Sequence, residues 1–209
     1  MDAIQSIRQV KLVPVVVFEK TDEVVPVLTA LKDGGLPIAE ITFRTDCAAA
    51  AIRLATQKFP DMLIGAGTVI NETQCAEALS SGARFIVGPG FSKSVARACK
   101  NADIPYIPGV VTPTEIIKAL SAGLTLLKFF PADSFGGLKT VKALSAAFPA
   151  VSFMPTGGIN AENILEYLTF PKIAACGGSW MMKGSPAEIK ESTQKAMNLI
   201  HGTKKESRL

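Results

Sequence analysis

Eight short apolar runs punctuate this chain at intervals of roughly two dozen residues, about the length of one strand–helix unit in a compact barrel. They lie at 12–18, 38–44, 62–69, 85–90, 106–111, 125–131, 151–158 and 173–181, each rich in Val, Ile, Phe or Gly. Amphipathic helical patterns fill the intervals. Strands alternating with helices imply a parallel sheet, because each crossover must return the chain to the same end of the sheet. Eight such units make a (β/α)8 TIM barrel, and 209 residues lie at the short end for that fold. The competing architecture, a doubly wound open sheet, would carry a glycine-rich phosphate loop after its first strand. Here the first run is followed by Glu19-Lys20-Thr21-Asp22, and the glycines gather after the seventh and eighth runs.

The helix boundaries agree with this division. Thr112-Pro113-Thr114-Glu115 places a capping threonine before proline, with glutamate three residues on, and Ser185-Pro186-Ala187-Glu188 repeats the pattern. Asn71 and Asn160 are expected to cap further helices, and Gly34-Gly35, Gly82 and Gly123 to end them. Ile4, Ile7 and Val10 predict a short covering helix at the N-terminus. Nothing marks a linker, so residues 1–209 are expected to form one domain, with a polar tail from about 202 to 209.

Composition excludes several functions. The net charge of +4 is dispersed, and the one dense basic patch, Lys204-Lys205 with Arg208, lies in the tail. Nucleic-acid binding needs a clustered basic face. No apolar stretch has the length of a membrane span, and the first residues lack the apolar core of a signal peptide. Four cysteines without a CxxC pair predict reduced thiols in a cytosolic protein. The single histidine, His201, argues against a histidine-based zinc site or a histidine-dependent triad.

Lys128 is the residue that points to chemistry. It interrupts the run Leu126-Leu127-Lys128-Phe129-Phe130-Pro131. Burial favours the neutral, nucleophilic form of an amine. The plainer explanation is a strand-end lysine whose stem packs while its head reaches water. Side chains alternate along a strand, so Glu40, Thr42 and Arg44 share one face and Ala39, Ile41 and Phe43 the other. The apolar set should pack under the helices, leaving Glu40 and Arg44 inside. They form either a buried structural ion pair or part of a site. If Lys128 also faces inward, Glu40 is the carboxylate available to move its protons. Thr68 and Thr156, at strand ends, could serve the same cavity or simply bond backbone. Thr156-Gly157-Gly158 and Gly177-Gly178-Ser179 end the seventh and eighth runs, the two loops where barrels commonly bind phosphate through backbone N–H groups. Tight turns use paired glycines too.

Taken together, Glu40-Ile41-Thr42-Phe43-Arg44-Thr45, Gly65-Ala66-Gly67-Thr68-Val69, Gly88-Pro89-Gly90, Lys128-Phe129-Phe130-Pro131-Ala132, Pro155-Thr156-Gly157-Gly158-Ile159 and Gly177-Gly178-Ser179-Trp180 resemble the signatures of the 2-keto-3-deoxy-6-phosphogluconate (KDPG) and 4-hydroxy-2-oxoglutarate (KHG) aldolases. The resemblance covers about the whole chain in barrel order. It implies that Lys128 forms a Schiff base, with Glu40 as general acid and base acting through a water. It implies that Arg44 and Thr68 hold the keto-acid carboxylate. Pro89 and Phe130 would line the pocket, and Thr156 and Gly157 would contact the substrate. Gly158, Gly177, Gly178 and Ser179 would form the phosphate loops. It further implies a homotrimer that needs no cofactor and no metal, acting on small keto acids and phosphosugars. One departure is Asp133, where such sequences often carry glutamate; it bears on the shape of that loop.

The rival functions are an aldolase for the galactonate-derived epimer, a carboxylate-based metal aldolase, a phosphosugar isomerase or epimerase, and a non-catalytic phosphometabolite-binding barrel. The last two leave Lys128 without a task.

Overall fold

The computed structural model describes residues 2–206, with side chains through Gly202. Strands and helices alternate along the chain. The strands are β1 (Leu12–Val16), β2 (Ile38–Thr42), β3 (Leu63–Gly67), β4 (Ile86–Val87), β5 (Tyr106–Ile107), β6 (Gly109–Val110), β7 (Leu126–Phe129), β8 (Ser152–Pro155) and β9 (Cys176–Gly178). The helices are α1 (Ala3–Val10), α2 (Val24–Asp33), α3 (Ala48–Lys58), α4 (Glu72–Ser80), α5 (Lys93–Asn101), α6 (Pro113–Ser121), α7 (Gly137–Ala147), α8 (Ile164–Leu168) and α9 (Pro186–Glu206). Of the expected polar tail, residues 207–209 lie outside the described residues, as do the side chains from 203 on.

Every named strand pairing is parallel, and the curled sheet has helices packed against it. Six strands run in the order β5-β4-β3-β2-β1-β9, and three in the order β6-β7-β8. The fifth apolar run is therefore two strands, split at Pro108, which has no N–H to give to a ladder. Its carbonyl still accepts from Lys128 N at 2.8 Å. Isolated bridges Phe153↔Ile173 and Thr156↔Gly177 connect the β8 and β9 segments.

Local rules account for the helix ends. Thr112 Oγ1 accepts from Glu115 N, while the Glu115 carboxylate accepts from Val111 N and Thr112 N at 2.8 Å each. Ser185 and Glu188 repeat this reciprocal cap. Asn71 Oδ1 accepts from Gln74 N. Asn160 instead holds the turn before α8, accepting from the N–H groups of Glu162 and Asn163, and Asn163 occupies the cap position itself. Gly35, Gly82 and Gly123 follow their helices with φ between +79° and +95°, where a Cβ would be strained.

The interior is filled, not hollow. On β3 the inward positions 65 and 67 are both glycine. A Cβ on Gly65 would lie 2.3 Å from the fully buried Phe85 ring. Burying such a ring contributes about 1.5–3 kcal/mol, so Gly65 makes room for a large apolar payload. Ala39 and Ile41 are fully buried on the opposite face of β2, and Phe43 packs against the core, as the alternation predicts.

Candidate active site

Strands β2 and β7 bring Glu40 and Lys128 together in the interior. Nζ lies 3.3 Å from Oε1, and the two side chains are 3% and 0% exposed. The pair is 88 residues apart in sequence, and the parallel sheet is what unites it. Two charges removed from water lose more hydration than a single contact returns, so such a pair gives little stability by itself. Its geometry suits proton exchange: when the carboxylate takes the Nζ proton, the amine becomes a nucleophile.

The carboxylate is held against β3. A Cβ on Gly67 would lie 2.2 Å from Glu40 Oε1 and 2.6 Å from Cγ. Glycine at 67 is therefore what allows Glu40 to lie where it does. The second oxygen, Oε2, is buried and has no hydrogen-bond partner in the protein; the same holds for Thr42 Oγ1 on the same strand.

The other expected site residues lie at or just beyond the C-terminal ends of their strands. Arg44, exposed, donates from Nε to Thr68 Oγ1 at 3.3 Å. Thr68 has φ +57°, a conformation uncommon outside glycine and one that marks a constrained loop start after β3. Glu40 pairs with Lys128, so the alternative of a Glu40–Arg44 ion pair is not what forms. The Phe130 ring centroid lies 5.0 Å from Lys128 Nζ, within cation–π range. Pro89 approaches β6, where a Cβ on Gly109 would meet the Pro89 carbonyl at 2.1 Å, and Gly109 is the register partner of Lys128.

At the β8 and β9 ends, Thr156 Oγ1 lies against Gly177, where a Cβ would be 2.3 Å away. Each remaining glycine there has a local reason of its own. Gly157 and Gly158 have φ +95° and +83°, Gly158 also abuts Asp133 Cβ, and Gly178 abuts the Trp180 ring. Ser179 is exposed, ahead of a one-turn 3-10 helix, Trp180–Met182. Neither Gly67 nor Thr42 has a role expected from sequence. Period-two alternation from Glu40 is the signal for Thr42, and Gly67 is marked only as part of Gly65-Ala66-Gly67-Thr68-Val69.

Known proteins resemble this chain over nearly its whole length. The family model described as KDPG and KHG aldolase matches residues 3–198. The 2-dehydro-3-deoxy-phosphogluconate aldolase of Haemophilus influenzae is 44% identical over 180 residues, 86% of this chain and 85% of that one. The KHG/KDPG aldolase of Escherichia coli K12 is 38% identical over 196 residues, 92% of each. A crystal structure of KDPG aldolase from Legionella pneumophila, with pyruvate captured as a covalent carbinolamine, superposes with a TM-score of 0.86 at 37% identity, covering 97% of this chain and 98% of that one. With a family model spanning nearly all of its length and a lysine–glutamate pair buried at its centre, this chain belongs to the KDPG and KHG aldolase family.

Proposed function

We propose that this chain is a Schiff-base aldolase that cleaves 2-dehydro-3-deoxy-6-phosphogluconate to pyruvate and glyceraldehyde 3-phosphate. The observation that carries the reading is the buried Lys128–Glu40 contact of 3.3 Å. Lys128 Nζ attacks the C2 ketone and water leaves, giving an iminium beside the C3–C4 bond. Glu40 takes the C4 hydroxyl proton. The C4 oxygen forms a carbonyl, and the C3–C4 electron pair moves into the iminium. Glyceraldehyde 3-phosphate departs and a pyruvate enamine remains. Glu40 returns the proton to C3, and water hydrolyses the imine. An iminium accepts the electron pair far better than a ketone, which is why an amine is needed at this position.

Arg44, fixed by Thr68, presents its guanidinium to the keto-acid carboxylate. Phe130 and Pro89 wall the pocket, and Thr156 contacts the substrate from the β8 end. The loops Gly157-Gly158 and Gly177-Gly178-Ser179 receive the phosphate. Asp133 stands beside Gly158, so its carboxylate opposes an anion at that loop. The same keto-acid head admits 4-hydroxy-2-oxoglutarate, which would yield pyruvate and glyoxylate.

The scaffold we infer is one domain, a (β/α)8 barrel over residues 1–209 with α1 outside it. The supports are the Pro108 split, which makes β5 and β6 two halves of one strand, and the bridges between the β8 and β9 segments. The enzyme works in the cytosol as a homotrimer; the exposed apolar side chains Ile70, Ile117 and Phe135 offer surface for subunit contact.

Pyruvate release tests the function. Phosphorylated and unphosphorylated 2-keto-3-deoxygluconate are compared in the wild type and in Ser179→Asp. The wild type should prefer the phosphorylated substrate. The introduced carboxylate should erode that preference and spare the unphosphorylated one. No pyruvate from either 2-oxo acid would refute the activity, and an unchanged preference in Ser179→Asp would refute the placement of the phosphate.

A further inference from the structure

Thr42 is the unassigned group closest in sequence to the proton-transfer machinery. It ends β2 two residues beyond Glu40, on the same strand face, and is 1% exposed. Its Oγ1 and Glu40 Oε2 are both buried and both without a hydrogen-bond partner in the protein. Leaving a buried polar group unsatisfied costs about 1–3 kcal/mol, so two such oxygens on one face mark a place for ordered water. The Glu40 carboxylate reaches the level of Thr42: a Cβ on Gly67, the register partner of Thr42, would lie 2.2 Å from Glu40 Oε1.

We propose that Thr42 is a positioning residue for proton transfer, holding between its hydroxyl and Glu40 Oε2 the water through which Glu40 acts. This rests on the Schiff-base reading and specifies its proton path. In cleavage, the C4 hydroxyl gives its proton to the water as the water gives one to Oε2. The hydroxyl electron pair becomes the new carbonyl bond and the C3–C4 pair enters the iminium. On return, protonated Glu40 gives its proton to the water, and the water gives one to C3 of the enamine. Thr42 keeps its own proton. A hydroxyl both donates and accepts, so it orients the water in either protonation state of Glu40.

The alternative is that Thr42 is there for its β-branched shape. Valine has that shape and would remove an unsatisfied hydroxyl, a change that is neutral or stabilising for a purely structural residue. Full-length Thr42→Val and Thr42→Ser therefore separate the two. Each is given pyruvate in D2O and the exchange of its methyl protons is followed by NMR, alongside borohydride trapping of the imine, steady-state cleavage and the melting temperature. Thr42→Val should slow exchange and kcat by about 10- to 100-fold, part of the 10²–10⁴ supplied by a whole acid–base group. KM should change by less than about threefold, since binding groups are untouched. Trapping should persist, Tm should not fall, and Thr42→Ser should restore exchange. Thr42→Val exchanging as fast as wild type, Thr42→Ser as slow as Thr42→Val, or loss of trapping in Thr42→Val would each overturn the assignment. A wild type that neither traps nor exchanges pyruvate would overturn the Schiff-base reading itself, and this inference with it.

Discussion

Gly67→Ala should disable the enzyme with one methyl group. The backbone at 67 is ordinary β-strand, so alanine is conformationally acceptable there. The difficulty is contact: the new Cβ would stand 2.2 Å from Glu40 Oε1, 2.6 Å from Cγ and 2.8 Å from Cδ. Carbon–oxygen contacts settle at about 3.3 Å or more, so Oε1 must retreat by about 1 Å. It has no slack to do so, because its bond to Lys128 Nζ is already 3.3 Å long. A misplacement of about 1 Å at a reacting group can cost about 10²-fold, or roughly 2.7 kcal/mol of barrier. Overpacking should cost a further 1–3 kcal/mol or so of stability, which leaves a domain of this size folded. The assay is pyruvate release coupled to lactate dehydrogenase, with circular dichroism to confirm folding. Borohydride trapping should survive better than turnover, because Lys128 keeps its place. The double variant supplies the refutation. If the methyl acts through Glu40, Gly67→Ala in a Glu40→Gln background should cost little more than Glu40→Gln alone. A kcat for Gly67→Ala near wild type, or full additivity with Glu40→Gln, would mean that Glu40 is not placed by this contact.

Lys128→Arg, which keeps the charge but stays protonated, should abolish cleavage while the fold persists; measurable turnover would remove the imine from the mechanism. Glu40→Gln should lower kcat by about 10²–10⁴-fold and still permit some trapping of pyruvate, and unchanged turnover would assign Glu40 to structure alone. Away from the site, Thr112→Ala should cost about 1 kcal/mol by breaking the reciprocal cap of α6, read as a lowered Tm. Burial opposes ionisation of the Glu115 carboxyl in that cap, but bonds from Val111 N, Thr112 N and the Thr112 hydroxyl outweigh it, so the group titrates below its ordinary value. Its contribution is complete above the ordinary glutamate pKa of about 4.3 and disappears as pH falls through the lower folded value. A Glu115→Gln variant should then melt below wild type at pH 7, with the gap closing in acid; a gap that widens in acid would contradict the cap's charge.

The strands and the placement of Glu40 were legible because period two leaves a carboxylate only one face to choose when the other is Ala39, Ile41 and Phe43. Lys128 was legible for the same reason, as a charge in an apolar run. Their contact was an inference from two strands, and the closed contact confirms it. Gly67 was legible only as a member of the Gly65-Ala66-Gly67-Thr68-Val69 motif; the reason for it lies in the volume Glu40 occupies on the neighbouring strand, a fact of register. The division of the fifth run was written in Pro108, whose missing N–H interrupts a ladder. The buried thiols of Cys75 and Cys99, 3.6 Å apart across α4 and α5, were invisible because spacing rules address neighbours in sequence. The glycine pairs read as phosphate loops, and the structure adds a reason of packing or positive φ at each of them. Ser179, exposed and unconstrained by such contacts, therefore makes the cleaner probe.

The central claim is that Lys128 is the amine that becomes covalent with the keto acid. Wild-type protein is incubated with pyruvate, reduced with borohydride, digested and analysed by mass spectrometry. The account predicts one adduct per chain, a mass gain equal to pyruvate less one oxygen atom, located on the peptide carrying Lys128 and absent from Lys128→Arg. No adduct, or an adduct that persists on another lysine in Lys128→Arg, would contradict it.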